Sequence, residues 1–192
     1  MVNNKISGIY AITPNQKLEL NSIDQVFNQY KISILQYRHK NANEDIKIDE
    51  ANKLRQLCLR HNTLFIINDD VNLAQKISAD GVHLGKNDSS VEQARKQLGN
   101  QAIIGVSCYD DIDLAKQAQK QGANYVAFGS LFPSTTKPNA PLCPLDLIIK
   151  AKQKLNIPIV GIGGIDFNNQ HQAFDAGCDA VAMISALFQS TD

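Results

Sequence analysis

The sequence predicts a parallel (β/α)8 barrel, and three observations predict it. Eight short apolar runs alternate with helical patterns along the 192 residues. Polar, charged and glycine residues follow directly after those runs, so they collect at the carboxyl ends of successive strands, which open onto one face of such a barrel. The paired glycines Gly163-Gly164 come after the seventh run. An open doubly wound sheet would carry its glycines after the first strand, whereas barrels commonly hold phosphate after strands 7 and 8.

The elements follow in order. The strands are Ile6–Ile12, Ile32–Arg38, Leu64–Asn68, Gly81–Leu84, Ala102–Ser107, Tyr125–Gly129, Pro158–Gly161 and Ala180–Ile184. Most are continuous runs of Ile, Val, Phe or Tyr, as strands covered on both faces require. Helical patterns lie between them at Ser22–Tyr30, Asp45–His61, Asn72–Ser78, Ser90–Leu98, Ile112–Gln121, Leu145–Leu155 and Asn168–Ala176, with a short last helix from Ser185. The Asp45–His61 segment places Ala51, Leu54, Leu57 and Cys58 on one face. Gly99, Gly122 and Gly177 mark helix ends. Ser89 and Glu92 have capping-box spacing, which leaves Asp88 free for other work. The fold usually needs about 250 residues, so the loops must be tight. One domain is expected over residues 1–192.

Composition narrows the function. Nineteen basic and nineteen acidic residues cancel, and the basic ones are scattered. That argues against a nucleic-acid or membrane surface. No apolar stretch reaches membrane-spanning length. Met1–Lys5 leads straight into the first strand, so no signal peptide and a cytoplasmic location are expected. Cys58, Cys108, Cys143 and Cys178 lie far apart with no zinc-type spacing, and read as packed thiols. Cys108, beside Ser107, is the one to watch as a nucleophile.

The rim carries the chemistry. Gln36, Arg38 and Lys40 alternate after the second strand. In extended chain they point the same way, and an Arg fork with a Lys charge suits a diphosphate. Asn68-Asp69-Asp70 ends the third strand and Asp88 follows the fourth. Two carboxylates from adjacent strands suit Mg²⁺, which takes one or two carboxylates and leaves room for phosphate and water. Either Asp69 or Asp70 could instead cap the next helix. Ser134, Thr136 and Lys137, in the proline-rich stretch Leu131–Cys143, can wrap a phosphate. Gly163-Gly164 allows backbone to approach an anion, and Ser185 stands at a helix start. Ser107 ends the fifth strand within reach of substrate, and His83 is the best-placed histidine, with a packed, hydrogen-bonded strand residue as its plainer reading. Together these features predict a Mg²⁺-assisted enzyme for phosphorylated small molecules.

These motifs resemble those of the thiamine-phosphate synthase family over nearly the whole chain. They are QYRxK at 36–40, NDD at 68–70, GVHLG followed by Asp88, GVS at 105–107, FGSLFPSTTK at 128–137, and PIVGIGGI with a later MIS. The resemblance implies a (β/α)8 barrel that joins hydroxymethylpyrimidine diphosphate to a thiazole phosphate. The products would be thiamine phosphate and pyrophosphate, formed by ionisation first and capture by the thiazole nitrogen second. It implies that Gln36, Arg38, Lys40, Asn68, Ser107 and Lys137 hold the pyrimidine diphosphate, with Arg38, Lys40, Lys137 and Ser107 catalytic. It implies Mg²⁺ on Asp69 and Asp88, and the thiazole phosphate on Ser134, Thr136, Gly164, Ile184 and Ser185. Pro14, Ser134 and Pro138-Asn139-Ala140 depart from the family pattern. Two rivals are a thiazole tautomerase of the same superfamily and a non-catalytic relative that binds a thiamine precursor. The full QxRxK comb with two metal aspartates counts against the first, since a tautomerase has no diphosphate to ionise, and the presence of every catalytic ligand counts against the second.

Overall fold

A computed structural model describes residues 6–17, 19–86, 88–133 and 141–188. Eight parallel strands close into a barrel in sequence order, β1-β2-β3-β4-β5-β6-β7-β8. They are β1 Gly8–Ile12, β2 Ile32–Tyr37, β3 Leu64–Asn68, β4 Gly81–Leu84, β5 Ile103–Tyr109, β6 Tyr125–Phe128, β7 Ile159–Ile162 and β8 Ala180–Met183. Eight helices alternate with them: α1 Leu20–Gln29, α2 Glu44–His61, α3 Val71–Lys76, α4 Val91–Leu98, α5 Ile112–Lys120, α6 Leu145–Lys152, α7 Gln170–Asp175 and α8 Ser185–Phe188. The expected fold and element order stand. Among the described residues no helix is long and apolar enough to cross a membrane.

The strands are apolar throughout because both faces are covered. Alternate residues face the barrel interior, where Tyr10, Ile12, Ile34, Leu64, Ile66, Ile103, Tyr125, Ala127, Val160, Ala180 and Ala182 form one cluster. Their neighbours, such as Leu35, Phe65, Ile67, Val82, Ile104 and Val126, join the helices in a second cluster. The predicted face of α2 is the buried one: Ala51, Leu54, Leu57 and Cys58 are all covered. Each such side chain contributes roughly 1.5–3 kcal/mol if it is as large as leucine.

Element ends hold two corrections. The box on α4 is made by Ser90 and Gln93, not Ser89 and Glu92. The Ser90 hydroxyl accepts from Gln93 N at 3.1 Å, and the Gln93 side chain accepts from Ser90 N at 3.0 Å. The helix begins one residue later than the spacing suggested, so the neighbouring serine takes the cap. Strand β2 ends at Tyr37, so Arg38 and Lys40 lie beyond the sheet. α2 is capped at its start by Asn43, which accepts from Ile46 N at 2.9 Å, and at its end by Asn62 in the left-handed region.

The floor of the barrel repeats a device that the sequence reading missed. Asp80, Asn124 and Asp179 each precede an even-numbered strand. Each side chain accepts from a backbone N–H near the start of the preceding odd strand, at Phe65, Ile104 and Ile159, all at 2.8 Å. Arg55, Arg95 and Lys152 in turn bond to these three side chains. The floor thereby satisfies strand N–H groups that would otherwise be left unpaired.

Candidate active site

The opposite face gathers the rim residues. Thr13, fully buried after β1, ties down the end of β2: its hydroxyl accepts from Arg38 N at 2.8 Å and donates to Arg38 O at 3.3 Å. The Arg38 guanidinium has no hydrogen-bonded acceptor among the described residues. Lys40 N donates to the Asn15 side chain at 2.6 Å, and Lys40 Nζ lies 2.7 Å from Asp69 Oδ2.

The turn after β3 divides its aspartates between two jobs. Asp70 caps α3, accepting from Leu73 N at 2.9 Å. Asp69 sits at φ +63°, a left-handed conformation that aspartate tolerates better than most residues. Its N–H donates to His83 O at 2.8 Å, and its carboxylate meets Lys40 and Asp88. Spacing alone left this division open. Asp88 is held by Gly85, whose N–H donates to Asp88 Oδ2 at 2.6 Å. Burial opposes ionisation of Asp69, yet the bonds from Lys40 and Asp88 and the lysine charge outweigh it and keep its carboxyl below the usual range. Asp88 goes the other way: burial and the neighbouring Asp69 push its carboxyl up, against the pull of the Gly85 N–H. A cleft of about 560 Å³ beside the cluster is lined by Tyr37, His39, Lys40, Asn68, Asp69 and Asp70, among others.

Deeper in the barrel the polar residues form a chain. Gln36 Nε2 donates to Tyr10 Oη at 2.7 Å, and Tyr10 Oη lies 2.7 Å from Tyr125 Oη. Tyr125 Oη is 3.0 Å from His83 Nδ1, and His83 Nε2 is 2.8 Å from Ser107 Oγ. Gln36 therefore lies below the mouth, 3% exposed, rather than beside Lys40. His83 takes the packed, hydrogen-bonded role; burial lowers its pKa to about 4, against a smaller upward pull from Asp69. Tyr10 and Tyr125 were missed by the sequence reading. Their signal was parity, because each is a polar-tipped residue on the inward face of its strand, two positions before Ile12 and Ala127.

The far rim holds the paired glycines. Gly163 and Gly164 have φ of +99° and +62°. A Cβ on Gly163 would overlap Ser130, and one on Gly164 would overlap the carbonyls of Phe132 and Pro133. The glycines thus let the loop after β6 cross the end of β7, where Phe132 N donates to Gly163 O at 3.0 Å. Ile184 and Ser185 follow β8, and Ser185 opens the single turn of α8. With one described turn, individual N–H groups rather than a helix macrodipole would attract an anion there. Ser134, Thr136 and Lys137 lie outside the described residues. Cys108 is not a poised nucleophile, since burial and then the Asp111 charge push its thiol up to about 12.

Fold and mouth together define a (β/α)8-barrel enzyme whose active face pairs cationic side chains with carboxylates at one side and glycine-rich backbone at the other. Comparison with known proteins narrows the class. The sequence profile of the thiamine monophosphate synthase family matches residues 9–187. A thiamine-phosphate synthase of Halorhodospira halophila is 45% identical over 188 residues, covering 98% of this chain and 90% of that protein. One from Methylobacillus flagellatus is 46% identical, covering 97% and 90%. The solved thiamine phosphate pyrophosphorylase of Pyrococcus furiosus superposes with a TM-score of 0.86 at 34% identity, covering 97% of this chain and 89% of that one. The chain belongs to the thiamine monophosphate synthase family.

Proposed function

We propose that this chain, acting as one barrel domain, is a Mg²⁺-dependent thiamine-phosphate synthase. It would join hydroxymethylpyrimidine diphosphate to a hydroxyethylthiazole phosphate and release pyrophosphate. The observation that carries the reading is the cluster of Lys40, Asp69 and Asp88 at the ends of β2, β3 and β4, open to the mouth. Charged phosphorylated substrates do not cross a membrane unaided, so the reading includes work in the cytoplasm.

The donor set fits Mg²⁺. Asp69 and Asp88 meet closely enough that Asp69 helps push the Asp88 carboxyl up, and a hard dication between them would relieve that repulsion. Among the described residues no cluster of three or more His, Cys, Asp or Glu side chains could hold a metal. A cation here would keep positions for substrate oxygens, as Mg²⁺ does. When bound, Mg²⁺ would neutralise charge on the departing diphosphate.

The residues' roles follow from position. Lys40 is 52% exposed, so its pair with Asp69 is weak enough to exchange for a phosphate oxygen. Arg38, its backbone fixed by Thr13, offers a guanidinium to the same group. Asn68, Ser107, Gln36 and Lys137 complete the pyrimidine diphosphate side in this reading. Gly164, Ile184 and Ser185, with Ser134 and Thr136, take the thiazole phosphate at the opposite rim. The bond from the pyrimidine methylene carbon to oxygen breaks, its electron pair leaving with the diphosphate. The thiazole nitrogen lone pair then forms the carbon–nitrogen bond. Such a reaction needs orientation and electrostatics and no covalent nucleophile. The test is product formation from both substrates with Mg²⁺. Thiamine phosphate and pyrophosphate appearing in equal amounts supports the reading, and no product at saturating substrates sinks it.

A further inference from the structure

Five side chains from five strands are joined across the barrel: Gln36, Tyr10, Tyr125, His83 and Ser107. Tyr10 and Tyr125 are 1% and 0% exposed. Among the described residues, no buried side-chain nitrogen or oxygen lacks a partner. The path between His83 and Tyr125 exists because of a glycine. Gly105 stands in register with His83 on one side and Tyr125 on the other. A Cβ there would overlap the Tyr125 ring. With that space open, the two rings stack at 5.6 Å between centroids, 27° apart.

Counting protons gives the chain a direction. A phenol has one proton and a neutral imidazole has one. Gln36 Nε2 donates to Tyr10, so the Tyr10 proton must go to its other neighbour, Tyr125. The Tyr125 proton then has His83 Nδ1 as its acceptor. With Nδ1 accepting, the imidazole carries its proton on Nε2 and donates it to Ser107 Oγ. The Ser107 hydroxyl proton is thereby left over, on a part-exposed residue at the end of the relay.

We propose that Gln36, Tyr10, Tyr125 and His83 form a one-way hydrogen-bond relay that fixes His83 as its Nε2–H tautomer and presents Ser107 to the mouth as a donor. Gln36 sets the direction because it is the terminal group that can only donate or only accept toward Tyr10. Tyr10, Tyr125 and His83 are positioning residues that act through Ser107. The ligand group at Ser107 is then one with a lone pair, such as a phosphate oxygen or a ring nitrogen. That last step rests on the proposed function; the relay itself does not.

The experiment reads the tautomer directly. In ligand-free, metal-free, ¹⁵N-labelled protein at neutral pH, long-range proton–nitrogen spectra should show His83 Nε2 protonated and Nδ1 bare. An Nδ1–H tautomer overturns the proposal. Gln36→Glu replaces the donating amide with an accepting carboxylate, so every bond should reverse and His83 should become Nδ1–H. A folded Gln36→Glu protein that keeps Nε2–H overturns the role given to Gln36. Kinetics supply a second readout. Ser107→Ala should lower kcat/KM by about 10²-fold, the usual effect of losing one oriented donor. In a Tyr125→Phe background, where His83 is no longer oriented, the same change should cost less than about tenfold. Equal losses in both backgrounds overturn the proposal. A correct tautomer in a protein that makes no thiamine phosphate would sink the functional reading and leave the relay standing.

Discussion

Gly105 stands in register with Tyr125 on the neighbouring strand, and its missing side chain is the space the Tyr125 ring occupies. An ordinary apolar residue on β5 would fill the barrel and cut His83 off from both tyrosines. Gly105→Ala should therefore destabilise by about 1–3 kcal/mol, the usual cost of overpacking. Urea unfolding would check this, with an unchanged midpoint counting against the packing described.

Asp69 and Asp70 are adjacent and do different work. Asp70→Ala removes the α3 cap and should cost about 1 kcal/mol of stability while leaving Mg²⁺ affinity as it was. Asp69→Asn keeps a residue that tolerates φ +63° and should weaken Mg²⁺ binding with little effect on stability. Asp88→Asn should behave like Asp69→Asn. Calorimetric titration with Mg²⁺ beside urea denaturation separates the two classes. A metal defect in Asp70→Ala would reverse the assignment.

The two rims should respond to different ligands. Arg38→Ala should weaken the pyrimidine diphosphate more than the thiazole phosphate, and Ser185→Ala the reverse. Titrating each variant with each compound tests the layout, and matched losses for both compounds would contradict it.

Buried His83 should make stability depend on acid in the metal-free protein. Its folded pKa is about 4, lowered first by burial, whereas an unfolded histidine titrates near 6.5. Between those values the unfolded chain binds a proton that the folded one does not. The contribution is fully present above about pH 6.5 and is lost as pH falls toward 4, by up to about 3 kcal/mol. His83→Gln should flatten that slope in urea curves taken between pH 7 and pH 5. An identical slope in the variant would assign the acid sensitivity elsewhere.

All four cysteines are buried. Burial leads the causes that hold Cys143 near 11 and Cys108 and Cys178 near 12, and it raises Cys58 as well. At pH 8 a thiol of pKa 12 is about one part in 10⁴ thiolate. Native protein should give almost no reaction with a thiol reagent, and four equivalents once unfolded. Fast modification of any one thiol in the native state would mean that its surroundings open.

What the sequence by itself determined is whatever repeats locally. Two-sided burial writes each strand as a continuous apolar run, and the 3.6-residue stripe of α2 names its buried face. Because every parallel strand ends at the same face, the order of those runs was enough to bring Lys40, Asp69 and Asp88 to one rim. Ser89 and Ser90 each stand three residues before a Glu or Gln, so local spacing could not choose between them; the choice followed where α4 begins. The left-handed turn at Asp69 depends on a bond from its N–H to His83 on the next strand. The relay depends most on closure, since Tyr10 and Tyr125 are 115 residues apart in the chain. They meet only because a closed barrel turns alternate residues of every strand onto one axis, and because Gly105 leaves the space the Tyr125 ring occupies. Contacts of that kind are set by register and closure, which no window of neighbouring residues encodes.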